Sequence, residues 1–246
     1  MRCSGALELV VPADGVFLRA LLNRPTASTG LILLAHGSGS SRFSRPGRQL
    51  AQAFNGAGFA TLSFDLLTVG ETMRDAVTAE HRCDMALLGR RLVGVIDWVR
   101  REPVTARLPV GLFGSSTVAA AALVAAAERP RHVRVVVCRS GRVDLAEGAL
   151  DGVEAPVLMI VGDLDRETCR LNRDAASRLH SGCEIRLIPG AFGLVEEPGK
   201  LDVVELEAVG WFRRHLRVPG QSSPVNGQPA GSPPAGNTAS RRGYSP

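Results

Sequence analysis

The sequence is short of lysine, of aromatic residues and of long apolar runs, and each shortage excludes a class of protein. Lys200 is the one lysine, so the net charge of +5 over 246 residues comes from arginines spread along the chain. Aromatic residues make up 4%, too few for the stacking platform that single-stranded nucleic acid needs. No run reaches the roughly 18 apolar residues of a membrane-spanning helix. We expect neither a nucleic-acid partner nor a membrane partner.

Metal-binding spacings are also missing. None of the five cysteines forms a C-x-x-C pair or another spacing typical of a metal site. The first residues, Met1 to Gly5, lack the apolar core of a signal peptide. We therefore expect free thiols, a cytoplasmic location, no metal and no organic cofactor, and we leave the oligomeric state open.

The composition changes at Pro219. From there to Pro246 the chain consists mainly of Pro, Gly, Ser, Ala and Asn without apolar periodicity, and such a segment cannot bury enough surface to offset the entropy of ordering. We predict a folded domain over residues 1–218 and a disordered tail over 219–246.

Strand and helix patterns alternate through the folded part. Two segments around Pro12-Ala13-Asp14-Gly15 suggest an antiparallel hairpin, and the later short apolar runs are typical of buried parallel strands. The predicted strands are Leu7–Val11, Val16–Leu22, Leu31–Ala35, Ala60–Phe64, Val110–Phe113, Val133–Cys138, Val157–Val161 and Glu184–Ile188. The predicted helices are Gly47–Asn55, Ala79–Arg101, Thr117–Glu128, Glu167–Leu179 and Leu201–His215. This order predicts the α/β class: a doubly wound, mostly parallel sheet with helices on both faces.

A candidate nucleophile stands between the fifth strand and its helix. The run Gly114-Ser115-Ser116-Thr117-Val118 follows an apolar strand and precedes an alanine-rich helix, which is the pattern of a nucleophile elbow. Gly114 relieves crowding where the chain reverses, but Val118 occupies the position of the second glycine in G-x-S-x-G. The segment therefore indicates either an elbow with Ser116 as nucleophile or an ordinary strand-to-helix turn.

A glycine- and serine-rich turn follows the third strand. His36-Gly37-Ser38-Gly39-Ser40-Ser41 fits neither common phosphate-loop motif, and its amides can converge on an anion. In hydrolases of this architecture such a loop supplies one oxyanion amide, here that of Ser38, while the residue after the nucleophile, Thr117, supplies the other. We predict that the same pocket is lined by His36, Gly37, Arg139 and Gly193.

Charged residues follow two later strands. Asp165 in Gly162-Asp163-Leu164-Asp165 is the preferred acid, Asp163 is the fallback, and a helix cap is the alternative role. Arg139 and Arg142 are candidates for an anionic group of a ligand, or are solvated loop arginines. Cys138 lacks a helix N-terminus that would activate its thiol, so we do not expect it to be a nucleophile.

The chain resembles the dienelactone-hydrolase-related branch of the α/β-hydrolase superfamily, including small bacterial hydrolases also found fused to phosphoribosyltransferase domains. The likeness covers about residues 5 to 216 and is carried by Ala35–Arg42, Phe64–Thr68, Gly111–Thr117 and the loop Pro189–Gly199. The resemblance implies an α/β-hydrolase fold. In that branch the last loop reads G-A-T-H-L-F-E-E-P-G, which aligns the family's catalytic histidine with Gly193 and its threonine with Phe192.

Two functions follow from these residues. The first is a serine hydrolase that acts on small carboxylic esters or lactones through an acyl-enzyme on Ser116, slowed because residue 193 is not histidine. The second is an inactive binding or regulatory module that keeps the hydrolase pocket. His36 is the one histidine expected at the same end of the sheet as Ser116.

Overall fold

One sheet of eight strands forms the centre of the fold. This computed structural model describes residues 6–216, so the predicted tail lies outside the described residues. The strands are β1 (Leu7–Ala13), β2 (Val16–Asn23), β3 (Leu31–His36), β4 (Ala60–Asp65), β5 (Val110–Ser115), β6 (Val133–Arg139), β7 (Val157–Gly162) and β8 (Cys183–Ile188). They lie in the sheet in the order β1-β2-β4-β3-β5-β6-β7-β8. The predicted α/β class, with a mostly parallel doubly wound sheet and an antiparallel N-terminal hairpin, is confirmed.

The hairpin at the start of the sheet closes through a two-residue turn. Asp14 and Gly15 both have positive φ, at 48° and 76°, as the tight turn between two antiparallel strands requires. β1 pairs antiparallel with β2, and β2 pairs antiparallel with β4. All pairs from β4 to β8 are parallel.

Helices cover both faces of the sheet, because its central strands are apolar on both sides. Every residue of β3 and β7 is buried. The α-helices are α1 (Arg45–Gly56), α2 (Val69–Thr78), α3 (Met85–Val99), α4 (Thr117–Glu128), α5 (Arg166–Ala176) and α6 (Lys200–His215). One apolar cluster joins a face of the sheet to α1 and α6, and the other joins the opposite face to α3, α4 and a 3-10 helix, Val143–Gly152.

The helix predicted over Ala79–Arg101 is wrong in its first part, because α3 begins at Met85. Ala79 ends α2 in the left-handed conformation, with φ 57°. The carboxylate of Asp84 then caps α3 by accepting the amide of Leu87 at 2.9 Å. The segment predicted as one helix therefore holds the end of α2, a turn and α3.

The sheet also has a point where the winding direction reverses. β4 lies on one side of β3 and β5 on the other, so the connections from these strands lead toward opposite edges. Ligands of open α/β sheets bind beyond the carboxyl ends of the strands at such a point. The ends of β3 and β5 are therefore where the fold favours a site.

The described residues contain neither a membrane-spanning helix nor a metal-binding cluster. Within residues 6–216, no helix combines the length and the apolar character needed to cross a membrane. Across the same residues, no cluster of three or more His, Cys, Asp and Glu side chains is arranged to hold a metal ion.

Candidate active site

Ser116 stands in a strained backbone conformation between β5 and α4. Its φ is 53° and its ψ is −128°, a combination that costs an L-residue on the order of 1–3 kcal/mol. The amide of Ser116 donates to the carbonyl of Arg139 at 3.1 Å, and its carbonyl accepts from the amide of Arg142 at 3.1 Å. The turn between β6 and the 3-10 helix thus holds both backbone groups of Ser116.

The residues around the turn explain how the chain fits there. A methyl group at Gly114 would stand 2.7 Å from the carbonyl oxygen of Val118 and 2.9 Å from the amide nitrogen of Ala119, so only glycine fits without moving backbone. Val118 is buried, and its Cγ2 lies 2.8 Å from the position of a Cβ on Gly37. The β-branched side chain therefore packs against the loop after β3, where glycine leaves room for it.

A buried carboxylate on α2 lies beside the loop that follows β3. Asp75 accepts the amides of His81 and Arg82 at 2.7 and 2.9 Å. Burial by itself raises the pKa of Asp75, but the side chain of Ser38 and these amides outweigh it and lower the pKa to about 2. An ionised carboxylate thus stands next to Ser38, whose amide is the proposed oxyanion donor.

His36 ends β3 and is buried beside the same loop. Its Nδ1 lies 3.4 Å from the hydroxyl of Ser40, and its Nε2 has no hydrogen-bond partner among residues 6–216. Burial lowers the pKa of His36 to about 4; the carboxylate of Asp65 opposes this shift, while Arg139 and Arg42 add to it. The imidazole is therefore neutral near pH 7 and a weak base.

Arg139 ends β6 and is 5% exposed. Its Nε donates to the hydroxyl of Ser115 at 3.0 Å, and its Nη2 donates to Glu196 at 3.1 Å. Its Nη1 is buried without a hydrogen-bond partner in the described part of the chain. Burial lowers the pKa of Arg139, and Glu196 partly opposes the shift, so the guanidinium keeps its charge near neutral pH.

Arg142 and Cys138 play no comparable part. The guanidinium of Arg142 is paired with Asp144 through two hydrogen bonds of 2.9 and 2.8 Å. Cys138 is fully buried, and burial strongly raises the pKa of its thiol. Arg142 therefore forms a solvated ion pair, and Cys138 is an inert thiol in the core.

The two candidate acids have different partners. Asp165 caps α5: its Oδ1 accepts the amide of Thr168 at 3.1 Å, and its Oδ2 accepts the hydroxyl of Thr168 at 2.9 Å. Asp163 accepts the amide of Gly190 at 2.7 Å, which ties the end of β7 to the loop after β8. The helix-cap contact is the alternative that the sequence left open for Asp165.

Gly193 lies in the loop after β8, in the left-handed conformation. Its φ is 52°, and a Cβ placed there would meet no atom within 4 Å. Phe192 before it is 63% exposed. Its other neighbour, Leu194, lines a cavity at the ends of β3 and β5, whereas Gly193 does not line it.

A cavity of about 240 Å³ brings most of the predicted residues together. It lies at the carboxyl ends of β3 and β5, where the winding of the sheet reverses. Of the five histidines, all within residues 6–216, only His36 lines it. The predicted site residues that line it are Ser116, Thr117, Ser38, His36, Gly37 and Arg139; Asp165 and Gly193 do not.

Sequence reasoning missed three residues that support this site. Asp75 belongs to α2, a helix absent from the prediction although Thr68 and Glu71 form a capping box. Ser115 and Glu196 are the partners of Arg139. Neither sequence position carries a signal of that role, because both contacts join residues far apart in the chain.

Comparison with known proteins identifies the family. A solved dienelactone hydrolase from Anabaena variabilis superposes with a TM-score of 0.83, at 46% sequence identity, over 87% of this chain and 100% of that chain. The chain belongs to the dienelactone hydrolase family. No model of a protein family matches it.

Other relatives of this dienelactone hydrolase family member differ in length or in sequence. Two Mycobacterium tuberculosis proteins with the provisional name phosphoribosyl transferase are 46% identical over 215 residues, 87% of this chain and 48% of theirs. The chain thus spans about half the length of these curated relatives. Est1E from Butyrivibrio proteoclasticus shares the fold with a TM-score of 0.68 at 18% identity, over 86% of this chain and 98% of that one.

Proposed function

We propose that this dienelactone hydrolase family member acts slowly on small carboxylic esters or lactones through an acyl-enzyme on Ser116. One observation carries the proposal: Ser116 has the strained backbone of a nucleophile elbow, at φ 53° and ψ −128°, beside a cavity of about 240 Å³. Strain of this kind persists where surrounding contacts impose it, and it is concentrated at functional sites.

The proposed reaction follows acyl transfer. The Oγ of Ser116 attacks the acyl carbon, the bond from that carbon to the alcohol oxygen breaks, and the proton lost by the serine hydroxyl passes to the departing alcohol. Water then attacks the acyl-enzyme, the bond from the acyl carbon to Oγ breaks, and a proton from the water returns to Oγ as the acid leaves. The amides of Ser38 and Thr117 are the proposed donors to the oxyanion, a role that contributes several kcal/mol in enzymes of this kind.

We propose that the missing proton acceptor makes turnover slow. Gly193 occupies the position that the resemblance assigns to the catalytic histidine, and a protonated serine hydroxyl is a weak nucleophile. His36 is a poor substitute, because a base with a pKa of about 4 has little tendency to accept the serine proton. Asp165 would then be the surviving acid of an incomplete triad.

A second candidate function is a binding or regulatory module without turnover. Two observations favour it: the glycine at residue 193 and the contacts of the Asp165 carboxylate with Thr168. Under this hypothesis the cavity holds a ligand, and Ser116 contributes a hydrogen bond rather than a covalent one.

Labelling with a fluorophosphonate probe and hydrolysis of p-nitrophenyl acetate test the first function. We expect slow labelling that Ser116→Ala abolishes and that the matched control Ser177→Ala retains, because exposed Ser177 follows α5 and does not line the cavity. Gly193→His should raise the rate of hydrolysis, because a Cβ at this position meets no atom within 4 Å, although the left-handed backbone costs about 1–2 kcal/mol. Absence of labelling and of hydrolysis in both the natural chain and Gly193→His would refute the hydrolase and favour the binding module.

A further inference from the structure

We propose that the cavity beside Ser116 binds the phosphate group of a small phosphorylated molecule, with Arg139 as its fixed positive charge. This proposal rests on the proposed function only in taking this cavity as the ligand site. It does not require the protein to hydrolyse its ligand. The ligand class is defined by a tetrahedral dianion, and the remaining space in the cavity would hold the group that the phosphate esterifies.

The first observation is the state of the Arg139 guanidinium. The residue is 5% exposed and lines the cavity, yet its Nη1 has no hydrogen-bond partner among residues 6–216. Leaving a buried charged donor without an acceptor is strongly unfavourable. Its counter-ion, Glu196, is 39% exposed and makes a single contact of 3.1 Å. Arg139 thus retains capacity to bind an anion.

The second observation is the uncapped N-terminus of α4 at the same cavity. Ser116, the N-cap residue, makes no side-chain hydrogen bond to the helix. The first amides of a helix have no partner within it and carry a partial positive charge. Thr117 and Val118, the first two residues of this 12-residue helix, both line the cavity. Helix N-termini of this kind favour phosphate groups.

The arrangement of donors favours phosphate over carboxylate. The donors belong to three separate elements: Arg139 ends β6, the helix amides follow β5, and the loop Gly37–Gly39 follows β3. Three directions suit the terminal oxygens of a tetrahedral group better than the two oxygens of a planar one. His36 is neutral near pH 7 and adds no charge, so the selectivity depends on Arg139.

Calorimetric titration of the full chain with inorganic phosphate, at constant ionic strength, tests the assignment. We expect saturable binding that Arg139→Met weakens by about tenfold or more, the usual effect of losing a charged hydrogen bond. Arg134→Met is the matched control, because exposed Arg134 lies at the opposite end of the same strand. It removes the same charge and should change the affinity less than about twofold. Equal losses in both variants would overturn the assignment.

A second variant keeps the test valid if Arg139→Met does not fold. Glu196→Gln removes the competing carboxylate and leaves the guanidinium in place, so phosphate should bind more tightly, by about threefold or more. A merely structural ion pair would give no such gain, and an unchanged affinity would overturn the assignment. Acetate is the comparison ligand: if it binds as tightly as phosphate at pH 7, the tetrahedral preference is wrong.

Competition with the fluorophosphonate probe separates this inference from the hydrolase. Phosphate should protect Ser116 from labelling in the natural chain. If phosphate binds through Arg139 but Ser116 never reacts, the phosphate site stands and the hydrolase fails. If Ser116 reacts and phosphate neither binds nor protects, the hydrolase stands and the phosphate site fails.

Discussion

The amide of Ser116 donates to the carbonyl of Arg139 at 3.1 Å, so the neighbouring strand holds the strained residue of the elbow. The side chain of Arg139 adds a second link through Ser115 at 3.0 Å. The same guanidinium also contacts Glu196 in the loop after β8. One buried arginine therefore joins the turn after β5 to the loop that carries residue 193.

Gly114→Ala should distort the elbow. The added methyl group would stand 2.7 Å from the carbonyl oxygen of Val118, and overpacking of this kind costs about 1–3 kcal/mol. Urea unfolding should report this loss, and labelling of Ser116 should fall with it. Gly56→Ala is the control, because a methyl group there meets no atom within 4 Å and should stabilise the chain by at most about 1 kcal/mol. Equal stabilities of the two variants would contradict the steric explanation.

Protonation of His36 should destabilise the fold between pH 6.5 and pH 4. Burial lowers its pKa from 6.5 to about 4, so the unfolded chain binds a proton in this window that the folded chain does not. Stability therefore falls as the pH falls. Between pH 7 and pH 5, the protonation of His36 should lower the free energy of unfolding by about 2 kcal/mol.

Urea unfolding of the natural chain and of His36→Gln at these two pH values isolates that contribution. Burial also lowers the pKa of His215, but His215 is present in both proteins and its effect cancels in the difference. An identical pH dependence in the two proteins would show that His36 titrates normally.

Glu71→Gln should be strongly destabilising near pH 7. Arg91 is 2% exposed and donates to both carboxylate oxygens of Glu71, at 2.6 and 2.5 Å. Removing one charge of a buried pair leaves the other uncompensated, which costs about 3–5 kcal/mol. Glutamine keeps the capping box of α2, so the loss can be assigned to the charge.

The pH dependence gives an independent check of this ion pair. The hydrogen bond from Arg91 lowers the pKa of Glu71 to about 2 from 4.5. The stability that the ionised carboxylate contributes is therefore present above pH 4.5 and is lost as the pH falls toward 2. The difference between the natural chain and Glu71→Gln in urea unfolding should shrink over this interval. A constant difference would contradict the ion-pair explanation.

The acid of the proposed triad can be identified in the Gly193→His background. Asp165→Asn should lower the restored hydrolysis by up to about 10⁴-fold, the order of effect expected when a triad acid is neutralised. Asparagine is an effective N-cap, so α5 should keep its cap and the thermal midpoint should change little. Asp163→Asn is the matched control and should have a smaller effect; the reverse order would assign the role to Asp163.

Local patterns predicted the elements of the fold but not the contacts between them. The eight strands and the hairpin were predictable because short apolar runs and a Pro-Ala-Asp-Gly turn are local signals. The sequence does not predict helix α2, because Val69, Met73 and Val77 lie on its exposed face. With apolar residues on the solvent side, the helix lacks the usual division into an apolar and a polar face. The cluster of Ser116, Arg139 and Glu196 depends on β5, β6 and the loop after β8 meeting in space.

The packing of Val118 into the space above Gly37 makes the two positions interdependent. Its methyl carbon stands only 2.8 Å from where a Cβ at residue 37 would be. Any enlargement of residue 37 therefore demands a smaller residue 118. A library that randomises both codons together should yield folded clones whose combined side-chain volume is nearly constant, whereas randomising codon 37 alone should return glycine.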